Sequence, residues 1–202
     1  MSEYQFTKDW FNWAPAVWEQ LTPMLSGEAC NREFLEIGSF EGRSAVWIVE
    51  NMMQDGDILG CIDTWEGGEE HGEEDMGTVK ERFDHNIAIL RDKYPERYID
   101  QYKNTSTVAL AEIMHGSWRS PTLDFIYIDG SHRAPDVLTD ACMAWPLLKK
   151  GGLMVFDDYT WSPNARDILH RPKIAIDAFV NIFAEEVEIV HLGYQLIVRK
   201  KG

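Results

Sequence analysis

Short apolar segments alternate with stretches of helical periodicity along most of the chain. The clearest apolar segments are EFLEI at 33–37, DILGCID at 57–63 and LDFIYID at 123–129. Strands that read as continuous apolar runs are typical of parallel sheets, whose two faces are both covered by the connecting helices. The alternation therefore predicts an α/β fold of the Rossmann-like, doubly wound type, with a mostly parallel sheet and helices on both faces.

Four further segments complete the predicted sheet at seven strands. RYIDQYKN at 97–104 and LMVFDD at 153–158 read as the third and fifth strands. VEIVHLG at 187–193 and YQLIVRKK at 194–201 read as two strands joined by a tight turn. We therefore expect the sheet to end in a C-terminal antiparallel strand pair.

Helical spacing predicts helices at residues 9–21 and 134–152. In DWFNWAPAVWEQL, residues 9–21, the tryptophans and other apolar residues recur at helical spacing. This pattern predicts a helix packed across the domain, and the alternative is an aromatic surface that lines a substrate site. APDVLTDACMAWPLLKKGG, residues 134–152, predicts a helix that ends at its two glycines.

Length and composition predict one globular domain over residues 1–202, with a helical segment at 1–30 and a core at 33–200. Of the 202 residues, 45% are hydrophobic, and the chain contains no repeat or flexible linker. No apolar run approaches the roughly 20 residues of a membrane span, and the N-terminus does not read as a secretory signal. The three cysteines lack metal-type spacing. These features predict a cytoplasmic protein.

The charge balance restricts the classes of partner. The formal net charge is -15, from 34 acidic and 19 basic residues. Such a charge repels phosphate backbones and anionic lipids, which argues against nucleic acid and membranes as partners. The acidic run EGGEEHGEED at 66–75 predicts a solvated loop, with a lid over a site as the alternative. The oligomeric state stays open, and a homo-oligomer is one alternative.

Four aspartates stand at the carboxyl ends of predicted strands, namely Asp63, Asp129, Asp157 and Asp158. In a parallel sheet these ends meet at one edge, where ligands of doubly wound folds bind. Clustered carboxylates repel one another, and hard cations such as Mg2+ prefer oxygen ligands of this kind. For Asp129, Asp157 and Asp158 this favours a metal site, and the alternative is that some of these three side chains cap turns or bind backbone.

The segment EIGSFEGRSA, residues 36–45, reads as a strand end, a glycine turn and the start of a helix. A dinucleotide fingerprint would need glycines at 38, 40 and 43, but Phe40 and Arg43 occupy two of these positions. This spacing argues against a pyrophosphate cradle and favours a cofactor without phosphates. Asp63 is placed to accept hydrogen bonds from a ribose diol. The alternative is a turn that serves backbone geometry alone.

Four motifs together carry a family resemblance: FLEIGSFEGRSA, GCIDTWEGG, LDFIYIDGSH and LKKGGLMVFDDYTW. In their order and spacing the chain resembles the class I S-adenosylmethionine-dependent methyltransferases. It is most similar to the branch that contains metal-dependent sugar O-methyltransferases of macrolide biosynthesis, and catechol O-methyltransferase is more distant. The resemblance extends over about residues 33–200 and implies S-adenosyl-L-methionine as cofactor.

The resemblance also implies which residues bind this cofactor. The glycine turn would approach its methionine part, Asp63 its ribose hydroxyls, and Ser106 its adenine. The full set of implied contacts is Glu36, Gly38, Ser39, Phe40, Gly42, Ser44, Asp63, Thr64, Trp65, Ser106 and Asp129.

The resembling metal-dependent enzymes ligate Mg2+ at the positions of Asp129, Asp157 and Asp158. His132, three residues after Asp129, is then the candidate general base, because an ordinary histidine pKa of about 6.5 allows it to accept a proton at neutral pH. Asp129 belongs to the same candidate catalytic pair. The alternative for His132 is a loop histidine that binds backbone.

The sequence thus predicts methyl transfer to a hydroxyl group of a small molecule such as a sugar or glycosylated metabolite. One alternative is a metal-independent or N-directed methyltransferase on the same fold. Another is a cofactor-binding module without catalysis. The acceptor itself is not identified by the sequence.

Overall fold

A computed structural model describes residues 3–25, 31–68, 72, 75–116 and 123–202. Seven strands form one sheet within these ranges. The strands are β1 (Glu33–Ile37), β2 (Ile58–Asp63), β3 (Tyr98–Lys103), β4 (Leu123–Ile128), β5 (Leu148–Phe156), β6 (Val187–Leu192) and β7 (Leu196–Lys200).

The strand order is β3-β2-β1-β4-β5-β7-β6. Strands β1 to β5 pair with their neighbours in parallel, whereas β7 is antiparallel to both β5 and β6. The predicted mostly parallel, doubly wound sheet with a C-terminal antiparallel pair is therefore confirmed. The direction of strand order reverses between β1 and β4, and this switch point is where sheets of this kind bind ligands.

Within the described part of the chain, six α-helices flank the sheet. They are α1 (Ala14–Trp18), α2 (Arg43–Asn51), α3 (Met76–Lys93), α4 (Ser106–His115), α5 (Ala134–Ala144) and α6 (Pro172–Ile182). Buried apolar residues of α1, α2 and α3 form one core cluster, and those of α4, α5 and α6 form a second. The helices therefore cover both faces, as the alternating pattern predicts.

Two helix predictions are wrong in extent. The predicted helix at 9–21 is α-helical only in α1 and continues as a 3-10 turn at Thr22–Met24, so Trp10 remains 58% exposed. The predicted helix at 134–152 ends at Ala144, and Leu148 already begins β5. Pro146 explains this early end, because proline has no N–H to donate and its ring clashes with the preceding helical turn.

Some sequence predictions fall outside the described residues. Within the acidic run, residues 69–71, 73 and 74 lie outside them, and so does Cys30. The end of this run is described: Asp75 caps α3 by accepting a hydrogen bond from the Gly77 amide at 3.1 Å. Among the described helices, none combines the length and the apolar character needed to cross a membrane.

A buried ion pair joins the amino-terminal ends of β1 and β2. The Arg32 guanidinium donates to Asp57 through Nε at 3.0 Å and Nη2 at 2.7 Å. Asp57 also accepts from the backbone amides of Arg32 and Gln54, each at 2.8 Å. Both side chains are buried, so each charge depends on the other for stabilisation.

We expect Asp57→Ala to lower the free energy of unfolding by about 3 kcal/mol or more, because it leaves a buried guanidinium without its counter-ion. Urea denaturation measures this. Asp55→Ala is the control, since Asp55 is exposed and its 3.6 Å pair with Arg97 should contribute less than about 1 kcal/mol. Equal losses in the two variants would contradict the structural role of the buried pair.

Candidate active site

The predicted site residues meet at the carboxyl edge of the sheet, around the switch point between β1 and β4. Gly38 directly follows β1, Asp63 ends β2 and Asp129 directly follows β4. The chain approaches itself closely here, since a Cβ atom at position 38 would lie 2.0 Å from the Asp129 carbonyl oxygen. Only glycine fits at Gly38, and its φ of +89° also requires glycine.

Asp63 organises the turn that follows β1. Its Oδ2 accepts hydrogen bonds from the Ser39 and Phe40 amides at 2.9 and 2.8 Å, and its Oδ1 accepts from the Trp65 amide at 2.7 Å. A carboxylate offers about four acceptor positions, so these bonds leave room for a further donor such as a ribose hydroxyl. The structure thus gives Asp63 a structural role in the turn that the sequence alone does not indicate.

Aromatic residues of this edge adopt unusual backbone conformations. Phe40 has a φ of +47° and Trp65 a φ of +50°, both in the left-handed region that bulky residues rarely occupy. The Trp65 indole donates to the Phe40 carbonyl oxygen at 2.9 Å and packs against Phe83 with ring centroids 4.6 Å apart. These contacts hold the turns after β1 and β2 together. Such strain is concentrated at functional sites in folded proteins.

A buried polar cluster lies beneath the turn. The Ser44 hydroxyl donates to Glu36 Oε1, and Glu36 is completely buried. Glu36 Oε2 and Ser39 Oγ are buried and make no hydrogen bond of normal geometry among the described residues. Burial raises the pKa of Glu36 to about 7, which the serine hydroxyls partly oppose.

Two carboxylates and a histidine converge beside Gly38. Asp129, His132 and Asp158 each offer one atom suited to binding a metal ion, and these atoms lie within 4.8 Å of one another. His132 Nε2 lies 2.7 Å from Asp158 Oδ2, and the Tyr194 hydroxyl donates to Asp158 Oδ1 at 2.6 Å. The structure therefore places the candidate base beside one of the candidate metal ligands.

Asp157 lies in contact with this group through a tyrosine. The Tyr127 hydroxyl lies 2.8 Å from Asp129 Oδ2 and within hydrogen-bonding distance of Asp157 Oδ2. Asp157 Oδ1 accepts from the Asp158 amide at 2.8 Å. Burial and mutual repulsion raise the pKa of Asp129 well above its ordinary value and that of Asp157 to about 6. The fold thus concentrates carboxyl groups here and disfavours their ionised forms.

The remaining predicted contacts lie around the same edge. Gly42 precedes α2 with a φ of +78°, and the Thr64 hydroxyl accepts from the Glu66 amide at 3.1 Å. Ser106 begins α4, directly beyond the loop that follows β3. Its hydroxyl interacts with Asp140, whose pKa is raised to about 6 by burial.

Sequence reasoning missed several side chains that contact the candidate residues, and four of them are polar groups next to the candidate carboxylates or Ser106. They are Tyr127, Asp140, Tyr194 and Gln195. Tyr127 stands within a strand two residues before Asp129, and this same-face spacing is a usable signal. The other three come from a helix and a distant turn, and their sequence context carries no such signal.

The sheet order and the ligand edge define the class of this protein: it has the fold of the class I S-adenosylmethionine-dependent methyltransferases. Several solved structures share it. An O-methyltransferase, NovP, aligns over 93% of this chain and 79% of its own with 16% identity and a TM-score of 0.59. The structure of a protein from Corynebacterium glutamicum aligns over 93% of this chain and 81% of its own, with 16% identity and a TM-score of 0.64.

A structure described as a putative rRNA methylase from Clostridium thermocellum aligns over 97% of this chain and all of its own, with 10% identity and a TM-score of 0.61. Identities this low establish the fold and not the acceptor. A family model described as a methyltransferase domain matches residues 35–159, more than half of the chain. The chain belongs to this methyltransferase-domain family.

One curated relative is an uncharacterized protein of Acanthamoeba polyphaga mimivirus. It is 28% identical over 141 residues, which are 68% of this chain. The aligned part spans 58% of the relative's own length.

The raised pKa of Glu36 predicts a specific pH dependence of stability. Folding raises this pKa from 4.5 to about 7, so the folded state holds the proton more tightly and stability is lost as pH rises through this window. Glu36→Gln cannot ionise. As the pH rises from 4.5 to 8, we expect the free energy of unfolding of the cofactor-free variant to increase by on the order of 2 kcal/mol relative to that of wild type.

Urea denaturation at both pH values measures this difference. Glu112→Gln is the control, since Glu112 is exposed on α4 and should show no such gain. If the free energies of unfolding of wild type and Glu36→Gln differ by the same amount at pH 4.5 and pH 8, the Glu36 carboxyl group does not have a raised pKa.

Proposed function

We propose that this protein is an S-adenosylmethionine-dependent O-methyltransferase that acts with Mg2+ on a small hydroxylated molecule. One observation carries this proposal. Asp129, His132 and Asp158 converge within 4.8 Å, next to the glycine turn that would hold the cofactor. A base and a cation site beside a methyl donor are what transfer to a weakly acidic hydroxyl requires.

The cofactor fits the described residues. Gly38 leaves open backbone at the end of β1, and the buried oxygens of Glu36 and Ser39 have unused hydrogen-bonding capacity. Asp63 has a remaining acceptor position for a ribose hydroxyl. S-adenosylmethionine would supply the electrophilic methyl group here. The protein's contribution is to orient that group toward the acceptor, which is a large part of the acceleration of a two-reactant step.

A divalent cation also fits the donor set. Asp129, Asp157 and Asp158 provide carboxylate oxygens, which Mg2+ prefers. The raised pKa values of Asp129 and Asp157 express repulsion that a bound cation would remove. A bound Mg2+ would lower the pKa of an acceptor hydroxyl coordinated to it.

His132 is the proposed general base. Its Nε2 lies 2.7 Å from Asp158 Oδ2, and its ring packs on Trp161 with centroids 4.4 Å apart. These two contacts restrict the orientation of the imidazole. The role proposed for His132 is to take the proton of the acceptor hydroxyl, whose oxygen would displace the sulfonium sulfur of the methyl donor so that the sulfur leaves as a neutral thioether.

The proposed acceptor is a small molecule, with a sugar or a glycosylated metabolite as the preferred class. The net charge of -15 opposes binding of a nucleic acid, although some proteins of the same fold are described as rRNA methylases. The acidic site likewise opposes an anionic acceptor. A neutral hydroxylated molecule meets neither obstacle.

We expect methyl transfer to require both Mg2+ and Asp158. A screen with radiolabelled S-adenosylmethionine and a small-molecule extract should give labelled products with Mg2+ and none after EDTA treatment. Asp158→Asn should lower the rate by more than the roughly 10- to 100-fold loss typical of outer-shell changes. Asp92→Asn, at an exposed position of α3, is the control. Unchanged transfer in EDTA would favour a metal-independent methyltransferase.

We expect His132→Ala to lower turnover about 10²- to 10⁴-fold, because general base catalysis typically contributes that much. Binding of S-adenosylhomocysteine, followed by calorimetry, should persist. His85→Ala, which changes a half-buried histidine of α3 that contacts the Glu3 carbonyl oxygen and none of the candidate site residues, should leave both properties unchanged. Full activity of His132→Ala would remove this residue as the base, whereas transfer to amines alone would favour an N-directed enzyme.

A further inference from the structure

The turn between β6 and β7 places two consecutive side chains against the two carboxylates that follow β5. The Tyr194 hydroxyl donates to Asp158 Oδ1 at 2.6 Å. The Gln195 side chain lies next to the Asp157 carboxyl group. The Tyr159 amide donates to the Tyr194 carbonyl oxygen at 2.9 Å, so the turn is also tied to the chain just beyond these carboxylates.

Trp18 determines which way the Gln195 amide faces. Its indole Nε1 donates to Gln195 Oε1 at 2.7 Å, and both side chains are completely buried. An indole N–H can only donate, so the amide oxygen must face Trp18 and the NH2 group must face away from it. Gln195 Nε2 is buried and makes no hydrogen bond of normal geometry among the described residues. It is therefore available to Asp157 or to an oxygen atom bound beside it.

The N-terminal segment supports each side chain that holds these carboxylates. The Trp18 ring packs edge-on against Tyr127, with centroids 4.8 Å apart, and Tyr127 bridges Asp129 and Asp157. Trp13 packs against the Tyr194 ring at 5.0 Å. Trp13, Trp18 and the β6–β7 turn all lie outside residues 35–159, the part that matches the methyltransferase-domain family.

We propose that Trp18, Gln195 and Tyr194 are positioning residues that set the affinity of the carboxylate site for a divalent cation. Trp18 acts through Gln195: it keeps the NH2 group toward Asp157. A flipped amide would bring its carbonyl oxygen against the carboxylate and push Asp157 out of place. Tyr194 holds Asp158 by the same principle of outer-shell hydrogen bonding. The inference depends on the proposed function in one respect, since it assumes that this site binds a cation.

The test measures Mn2+ binding to the cofactor-free protein by electron paramagnetic resonance, with Mg2+ competition. We expect Trp18→Phe, which keeps a ring but loses the N–H, to weaken Mn2+ binding about 10-fold. Tyr194→Phe should weaken it similarly, and this exposed position requires no repacking of the core. Trp47→Phe is the matched control: Trp47 packs on Trp18 at 5.6 Å but belongs to α2, and it should bind Mn2+ like wild type.

A double-mutant cycle separates orientation of the amide from general packing. If Trp18 acts through Gln195, Trp18→Phe should weaken Mn2+ binding no further in a Gln195→Leu background. Additive losses would mean that Trp18 acts by packing, and this result would overturn the proposed role. Affinity for S-adenosylhomocysteine should stay within about twofold of wild type in each variant. Damage to the whole fold would instead lower the affinities for Mn2+ and for S-adenosylhomocysteine together.

Two outcomes distinguish this inference from the proposed function. If wild type binds Mn2+ and both Trp18→Phe and Tyr194→Phe bind it equally well, the positioning role is wrong and the cation site stands. If wild type binds neither Mn2+ nor Mg2+ at millimolar concentration, the cation site is wrong, and the positioning role falls with it.

Discussion

The repulsion among carboxylates at the ends of β4 and β5 is the constraint around which this edge of the molecule is built. Asp129, Asp157 and Asp158 come from adjacent parallel strands, and burial with mutual repulsion raises the pKa of two of them. Hydroxyl groups of Tyr127 and Tyr194 contact these carboxylates and partly offset the repulsion. A site that concentrates carboxyl groups in this way is suited to a cation, which would favour their ionised forms.

The cofactor edge depends on the same strand arrangement. Asp63 accepts three backbone hydrogen bonds and thereby joins the turns after β1 and β2, while Gly38 allows the first turn to approach the Asp129 backbone. The glycine turn and the carboxylate site are thus in direct contact. This contact places the proposed positions of the methyl donor and the cation next to each other.

Much of this edge could be predicted because it depends on local sequence. Continuous apolar runs mark most of the strands, and a glycine or aspartate at the carboxyl ends of β1, β2, β4 and β5 marks the ligand edge. The helix predictions at 9–21 and 134–152 are wrong in extent, because apolar spacing does not register proline: Pro15 lies in the first turn of α1 and limits where that helix can begin, and Pro146 follows the end of α5. Gln195 could not be predicted as a neighbour of Asp157, because nothing local relates a turn to a strand 38 positions earlier in the chain.

The sequence by itself determined the class of fold, the methyltransferase family and the aspartates at the strand ends, because periodicity and strand-end chemistry are properties of short segments. Tertiary structure alone decided which side chains hold those aspartates. Trp18 reaches Gln195 across 177 positions of sequence, and Tyr194 reaches Asp158 across 36. Such contacts form only because the antiparallel β7 lies beside β5 and α1 packs over that junction, which no segment specifies on its own.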